Sequence, residues 1–211
     1  PRSTPLYSSA ASDVYKRQFR ASFSRKIKKS RKKSPSKITV IDNFLPPEAF
    51  KQIKDICSSP DMAWYRSDGI SNNDSTNAIV NPLDNYYFVH LFFINYMQVS
   101  SHFEVVKEAF TLGMKEHLGI GFRNITRIKA NFYPRTEEVQ VHPFHSDTHD
   151  IEGLQGGLLC LNTCDGYTGF EDGTEVDSVE NRVVFFDSTK PHHSTSCSNA
   201  AYRLNININF L

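Results

Sequence analysis

His145-Ser146-Asp147, then His192, then Arg203 form an ordered series of side chains able to do metal chemistry. One residue separates His145 from Asp147, so in an extended segment both project from the same face. His192 follows 45 residues after Asp147 (192 − 147), far enough for two or three strands to bring it back beside the pair. Two imidazoles and one carboxylate on one side of an ion leave positions open opposite, a set that suits Fe(II) in oxygen-activating enzymes. Arg203 stands eleven residues beyond His192 (203 − 192) and carries the planar fork that pairs bidentately with a carboxylate, which suits a dicarboxylate cosubstrate. His142, His149 and His193 flank these positions and read more simply as hydrogen-bonded neighbours. The choice between His192 and His193 as second imidazole stays open.

The elements that must position these groups change character along the chain. Residues 38–45 (ITVIDNFL) read as a short strand running into a helix that starts at Pro46-Pro47, with Glu48 in its first turn. Phe50, Ile53, Ile56 and Cys57 recur at helical spacing. Residues 58–86 read as a long loop, with 66–82 a lid and Trp64 or Tyr65 either substrate contacts or packing residues. Tyr167 carries the same two readings. Residues 87–118 read as helical, with Phe103, Val106, Phe110 and Met114 on one face. From Arg127 onward short strands are expected at 127–133, 156–162, 182–187 and 202–210, with turns at Gly166, Gly169, Asp172 and Gly173.

In the last of these, Leu204, Ile206, Ile208 and Phe210 face one way and Arg203, Asn205, Asn207 and Asn209 the other. Asn is disfavoured in strands, so an alternating row of it needs a cause. The row lies either on an exposed sheet face or on the wall of a polar cavity, and Arg203 at its head favours the cavity. A helical block followed by several short strands gives a mainly β fold with flanking helices.

Composition narrows the function classes. The net charge of +1 conceals a division: residues 1–37 hold twelve of the 24 Lys and Arg and a single acid, Asp13. Residues 38–211 therefore hold twelve basic and 22 acidic residues (24 − 12 and 23 − 1), which argues against a broad phosphate-binding surface on the folded part. The run Arg25–Lys37 reads either as a solvated tail or as an arm for a polyanion. Residues 1–18 lack periodicity and are set aside from fold reasoning. The resulting division is a basic tail over 1–36, disordered or non-native, and a folded domain over 37–211. No apolar run reaches membrane-spanning length, and the four cysteines, Cys57, Cys160, Cys164 and Cys197, suit reduced thiols in the cytoplasm.

HSD at 145–147, FFDSTKPHHS at 185–194, YRLNININF at 202–210 and the opening KITVIDNFLPPEAF at 37–50 together resemble the iron- and 2-oxoglutarate-dependent dioxygenases. The likeness is to the prolyl-4-hydroxylase-like members of microbial and phage genomes. It implies a double-stranded β-helix (jelly roll), Fe(II), 2-oxoglutarate and O2, with ascorbate in support. It implies His145, Asp147 and His192 as iron ligands and Arg203 as partner of the distal carboxylate. Asn131-Phe132-Tyr133 and Arg203-Leu204-Asn205 are also similar to strands of the alkylated-nucleic-acid dealkylases, which adds Asn131, Tyr133 and Asn205 as cosubstrate contacts. Asn209 departs from those dealkylases, which carry an Arg there. The expected activity is hydroxylation of a peptide, prolyl peptides included, or of a small molecule. The alternatives are demethylation of alkylated bases, with the basic tail recruiting nucleic acid, and a non-catalytic jelly roll whose metal is closed by His142 or Cys197.

Overall fold

The computed structural model describes residues 38–70, 85–147 and 151–211. Two antiparallel sheets and two helices make up this part. The larger sheet is ordered β1 (Thr39–Ile41), β9 (Val183–Asp187), β6 (Gln155–Cys160), β11 (Tyr202–Phe210), β5 (Ile125–Pro134), β3 (Tyr86–Ile94) and β2 (Tyr65–Asp68). The short β4 (Met97–Gln98) pairs with β3. A smaller sheet runs β10 (His192–Ser194), β7 (Tyr167–Phe170), β8 (Glu175–Asp177). Isolated bridges at Val141–Thr195 and His145–His192 extend its β10 edge. This is the mainly β jelly-roll architecture with flanking helices that the sequence implies.

The helices are α1 (Pro47–Ser58) and α2 (Phe103–Leu118). Pro47 at the first turn of α1 lacks an N–H that would have no partner there, and its fixed φ already suits the helix. Gly119 ends α2 in the left-handed region at φ 65°. Phe50, Ile53 and Cys57 of α1 and Phe103, Val106, Phe110 and Met114 of α2 pack on Ile128, Ala130, Leu204, Ile206 and Ile208 of the large sheet. Each fully buried apolar side chain of this kind contributes about 1.5–3 kcal/mol.

Helix does not extend over 87–118. Residues 86–94 (YYFVHLFFI) form β3, and only 103–118 is helical. Aromatic and β-branched residues dominate the first stretch, and side chains of that kind pack best on a pleated, half-buried surface. The loop expected over 58–86 contains β2, while its centre, and with it most of the 66–82 lid, lies outside the described residues. So do the basic tail, residues 1–18 and His149. Gly169 lies within β7 rather than in a turn: a Cβ there would stand 2.1 Å from Nε2 of His193. Among the described residues no helix is long and apolar enough to cross a membrane.

Candidate metal and anion site

Period-two alternation decides what faces the space between the sheets. Core residues Ile128, Ala130, Leu204, Ile206 and Ile208 turn toward the helices, so Lys129, Asn131 and Tyr133 of β5 and Asn205 and Asn207 of β11 turn the other way. These five line a cavity of about 390 Å³, its open mouth included, together with His145, Asp147 and His192. The Asn row is thus a cavity wall, not an outer face.

His145, Asp147 and His192 offer ligand atoms that lie within 4.8 Å of one another. Backbone hydrogen bonds fix their approach: His145 and His192 exchange N–H to C=O bonds of 2.9 Å in both directions, and Asp147 N–H donates to Ser188 O at 3.0 Å. Each ring is oriented by its Nδ1, which faces a backbone carbonyl, Pro143 O at 3.5 Å for His145 and Lys190 O at 3.0 Å for His192. A carbonyl only accepts, so Nδ1 bears a proton in each ring, and Nε2 is the atom turned toward the cluster for metal binding. Burial, then His192 and Lys129, lower the His145 pKa to about 4 against the pull of Asp147, so this imidazole is neutral at physiological pH. Burial pushes the Asp147 carboxyl upward, but Arg127, His192, Lys129 and the Asn209 amide together hold it well below the usual carboxylate range. The donor set therefore fits a borderline dication with open positions.

The structure brings His192, not His193, to this cluster. His193 instead sits edge-on to Phe144 and Tyr167 and against Gly169. His142 turns away: its Nδ1 meets Ser194 Oγ at 2.8 Å, and burial, then Arg203, bring it down to about 3. Cys197 bonds Ala200 O through Sγ, so neither residue closes a fourth position in the cluster found among the described residues.

Behind the cluster, Arg203 is fully buried. Its Nη1 donates to Thr195 O at 3.0 Å and its Nη2 to Thr168 Oγ1 at 2.8 Å, while its Nε–H has no partner. Among the described residues no carboxylate lies within ion-pair distance of it. A buried cation without counter-charge is costly, and an anion beside it removes the cost. Gly166 lets the side chain through, since a Cβ there would come within 2.7 Å of Arg203 Cδ. Thr168, Tyr133 and Asn205 join this buried region to the cavity. Asn131 Nδ2 donates to Asn205 Oδ1 at 2.8 Å, which leaves Asn131 Oδ1 buried and unpartnered. Tyr133 stacks on Tyr87, and burial, then Tyr87, push its phenol up to about 12. A buried cation with no ion-pair partner among the described residues, in a region with orphaned polar atoms, would fit a carboxylate group such as one of those of 2-oxoglutarate.

Several site residues escaped the sequence reading. Arg127 pairs with Asp147 at 2.7 Å, and Asn209 donates to the other carboxylate oxygen at 2.8 Å while accepting from Arg127 Nε at 3.0 Å. Lys129 lines the cavity, and burial, then Arg127, bring its amine down to about 8. The signal was present: RIKANFY alternates in the same way as RLNININF. Of the expected aromatic contacts, Trp64 packs on Phe132 and His90 at the core, Tyr65 is exposed, and Tyr167 lies beside His193.

No family model and no curated protein matches the sequence. Solved structures do share its fold. A prolyl-4-hydroxylase from Pseudomonas putida superposes at TM-score 0.54 and 16% identity, over 83% of this chain and 93% of the other. A 2OG-Fe(II) oxygenase family oxidoreductase from Burkholderia pseudomallei gives TM-score 0.59 at 9% identity, over 82% and 84%. A Trichoplax adhaerens prolyl hydroxylase, solved with a hypoxia inducible factor peptide fragment, gives 0.53 at 17%, over 82% and 83%. The fold implied by the sequence resemblance is the fold these oxygenases have.

Proposed function

We propose that this protein is an Fe(II)- and 2-oxoglutarate-dependent dioxygenase that hydroxylates a peptide or small-molecule substrate. The observation that carries the reading is the convergence of His145, Asp147 and His192 at one cavity, with the uncompensated Arg203 guanidinium behind it. Fold likeness to oxygenases, one of them bound to a peptide, supports the same class. When bound, the iron and 2-oxoglutarate supply an oxidation in which one atom of O2 enters a substrate C–H bond and the other enters succinate, with release of CO2.

The residues of the chain would do the holding. His145 and His192 would turn Nε2 toward the metal because their Nδ1–H groups are engaged by backbone carbonyls. Asp147 stays ionised beside Arg127 and Asn209, which also fix its rotamer. Arg203 pairs with the distal carboxylate, and Tyr133, Asn131 and Asn205 furnish neutral polar contacts along the cosubstrate. Phe186 and Leu158 present apolar surface to the cavity, which limits water beside the metal. Four buried free cysteines are in keeping with a cytoplasmic setting.

The test is succinate formation from 2-oxoglutarate with Fe(II) and ascorbate, alone and with a panel of prolyl and non-prolyl peptides. Turnover that one peptide class stimulates is the expected result. Absence of both turnover and 2-oxoglutarate binding in metal-loaded protein would remove the reading.

A further inference from the structure

Lys129 stands in the same cavity wall as the three-residue cluster. Arg127 and Asp147 neutralise each other across 2.7 Å. Lys129 has no such partner: among the described residues no carboxylate lies within ion-pair distance of its amine, whose aromatic neighbour is the Tyr87 ring at 5.7 Å. Among the described residues the inner wall therefore holds two cations with no ion-pair partner, Lys129 and Arg203; Asp147, which acts on the Lys129 amine from beyond ion-pair distance, is already paired with Arg127, and a dication at the neighbouring cluster would increase the demand for an anion near the amine.

The two cations are also spaced for one ligand. Arg203 pairs across the sheet with Tyr133, and Lys129 with Asn207. Tyr133 and Lys129 stand four positions apart on β5, or ~13 Å of strand. A five-carbon chain has four C–C bonds of ~1.5 Å and spans roughly 5 Å end to end, so two long side chains need to cover only ~8 Å between them. Lys129 lines the cavity alongside the three-residue cluster, whereas Arg203 lies behind Tyr133 and Thr168.

We propose that Lys129 is the counter-ion for the carboxylate next to the keto group of 2-oxoglutarate, so that the cosubstrate is held between two cations, with Arg203 at the far end. This rests on the cosubstrate reading above. It makes Lys129 a binding residue for the end of the molecule nearest the metal cluster, and it leaves metal capture to His145, Asp147 and His192.

Calorimetric titration of 2-oxoglutarate into protein loaded with redox-inert Zn(II) tests this without any substrate. Lys129→Gln is expected to weaken 2-oxoglutarate by ~10- to 100-fold, the loss of one charge-assisted contact. Metal affinity should be unchanged or tighter, because a cation beside the site has been removed. Lys129→Arg should recover most of the cosubstrate affinity. Against 4-oxopentanoate, which lacks the carboxylate in question, wild type and Lys129→Gln should perform alike. A Lys129→Gln variant that binds 2-oxoglutarate within threefold of wild type overturns the proposal and leaves the amine to a substrate anion. Parallel loss of metal and cosubstrate also overturns it, since that marks a structural role. Wild-type protein that takes metal but no 2-oxoglutarate instead defeats the underlying cosubstrate reading.

Discussion

Two halves of the same interior space, both between the large and small sheets, are built in opposite ways. Toward β6 and β9 it is closed by Leu158, Val184 and Phe186 against Phe170 and Val176, a second small apolar core. Toward β5 and β11 it is faced by Lys129, Asn131, Tyr133, Asn205 and Asn207, with Arg203 buried behind. The first half satisfies itself. The second leaves Asn131 Oδ1, Asn207 Oδ1 and Arg203 Nε buried without partners. Unmet polar groups of this kind cost about 1–3 kcal/mol each, so a fold that keeps them along one pair of strands is shaped for something else to complete them. The apolar half sets the sheet spacing, and the polar half uses it.

The contrast can be broken most completely at Asp147. Asp147→Ala removes the acidic ligand and leaves Arg127 without its partner, so metal stoichiometry should fall to background and succinate formation with it. Ile208→Ala, on the helix-facing side of β11, should cost roughly 2–5 kcal/mol in denaturant unfolding while the folded fraction keeps its 2-oxoglutarate affinity. Arg203→Met should do the reverse. Loss of the buried charge pair should weaken 2-oxoglutarate by roughly 30- to 1000-fold, whereas unfolding of ligand-free protein should show equal or greater stability. A destabilised Arg203→Met protein with normal cosubstrate affinity would erase the distinction between the two halves.

A finer effect is expected at Asn209, which supports Asp147 without touching the proposed metal. Asn209→Ala should lower metal affinity by about 10- to 100-fold, measured by competition with a chelator. A further effect is on pH dependence. His142 is held down to about 3 in the folded protein against an ordinary value of 6.5. As pH falls through 6.5 the unfolded chain takes up a proton that the folded chain refuses, so stability drops progressively from 6.5 toward about 3. In metal-free protein, His142→Asn should flatten that part of the stability profile.

Much of the polar half was legible in the sequence because its strands alternate without interruption. Arg203 and the Asn row announced a cavity wall, and His145-x-Asp147 announced a shared face. The same period in RIKANFY carried Arg127 and Lys129, but a lone basic residue in a strand has an ordinary solvent-facing explanation, and only the pairing of β5 with β11 removes it. His192 could not be separated from His193 by spacing. Their separation depends on the antiparallel bridge from His145 to His192, a contact 47 residues apart in sequence (192 − 145). The helix expected over 87–118 holds over 103–118, and its first part failed for a different reason: a continuous apolar run carries no period, and tertiary pairing of β3 with β5 decided its form. The strands β7, β8 and β10 are three or four residues long and pair with one another, too short to show a pattern alone.

Whether one cavity holds both a metal at His145, Asp147 and His192 and a dicarboxylate against Arg203 is decided by titrating 2-oxoglutarate into Zn(II)-loaded wild type, Asp147→Ala and Arg203→Met. One-to-one binding is expected in wild type, strongly weakened when either the metal ligand or the guanidinium is removed. Equal binding in all three proteins, or none in wild type with metal in place, would contradict it.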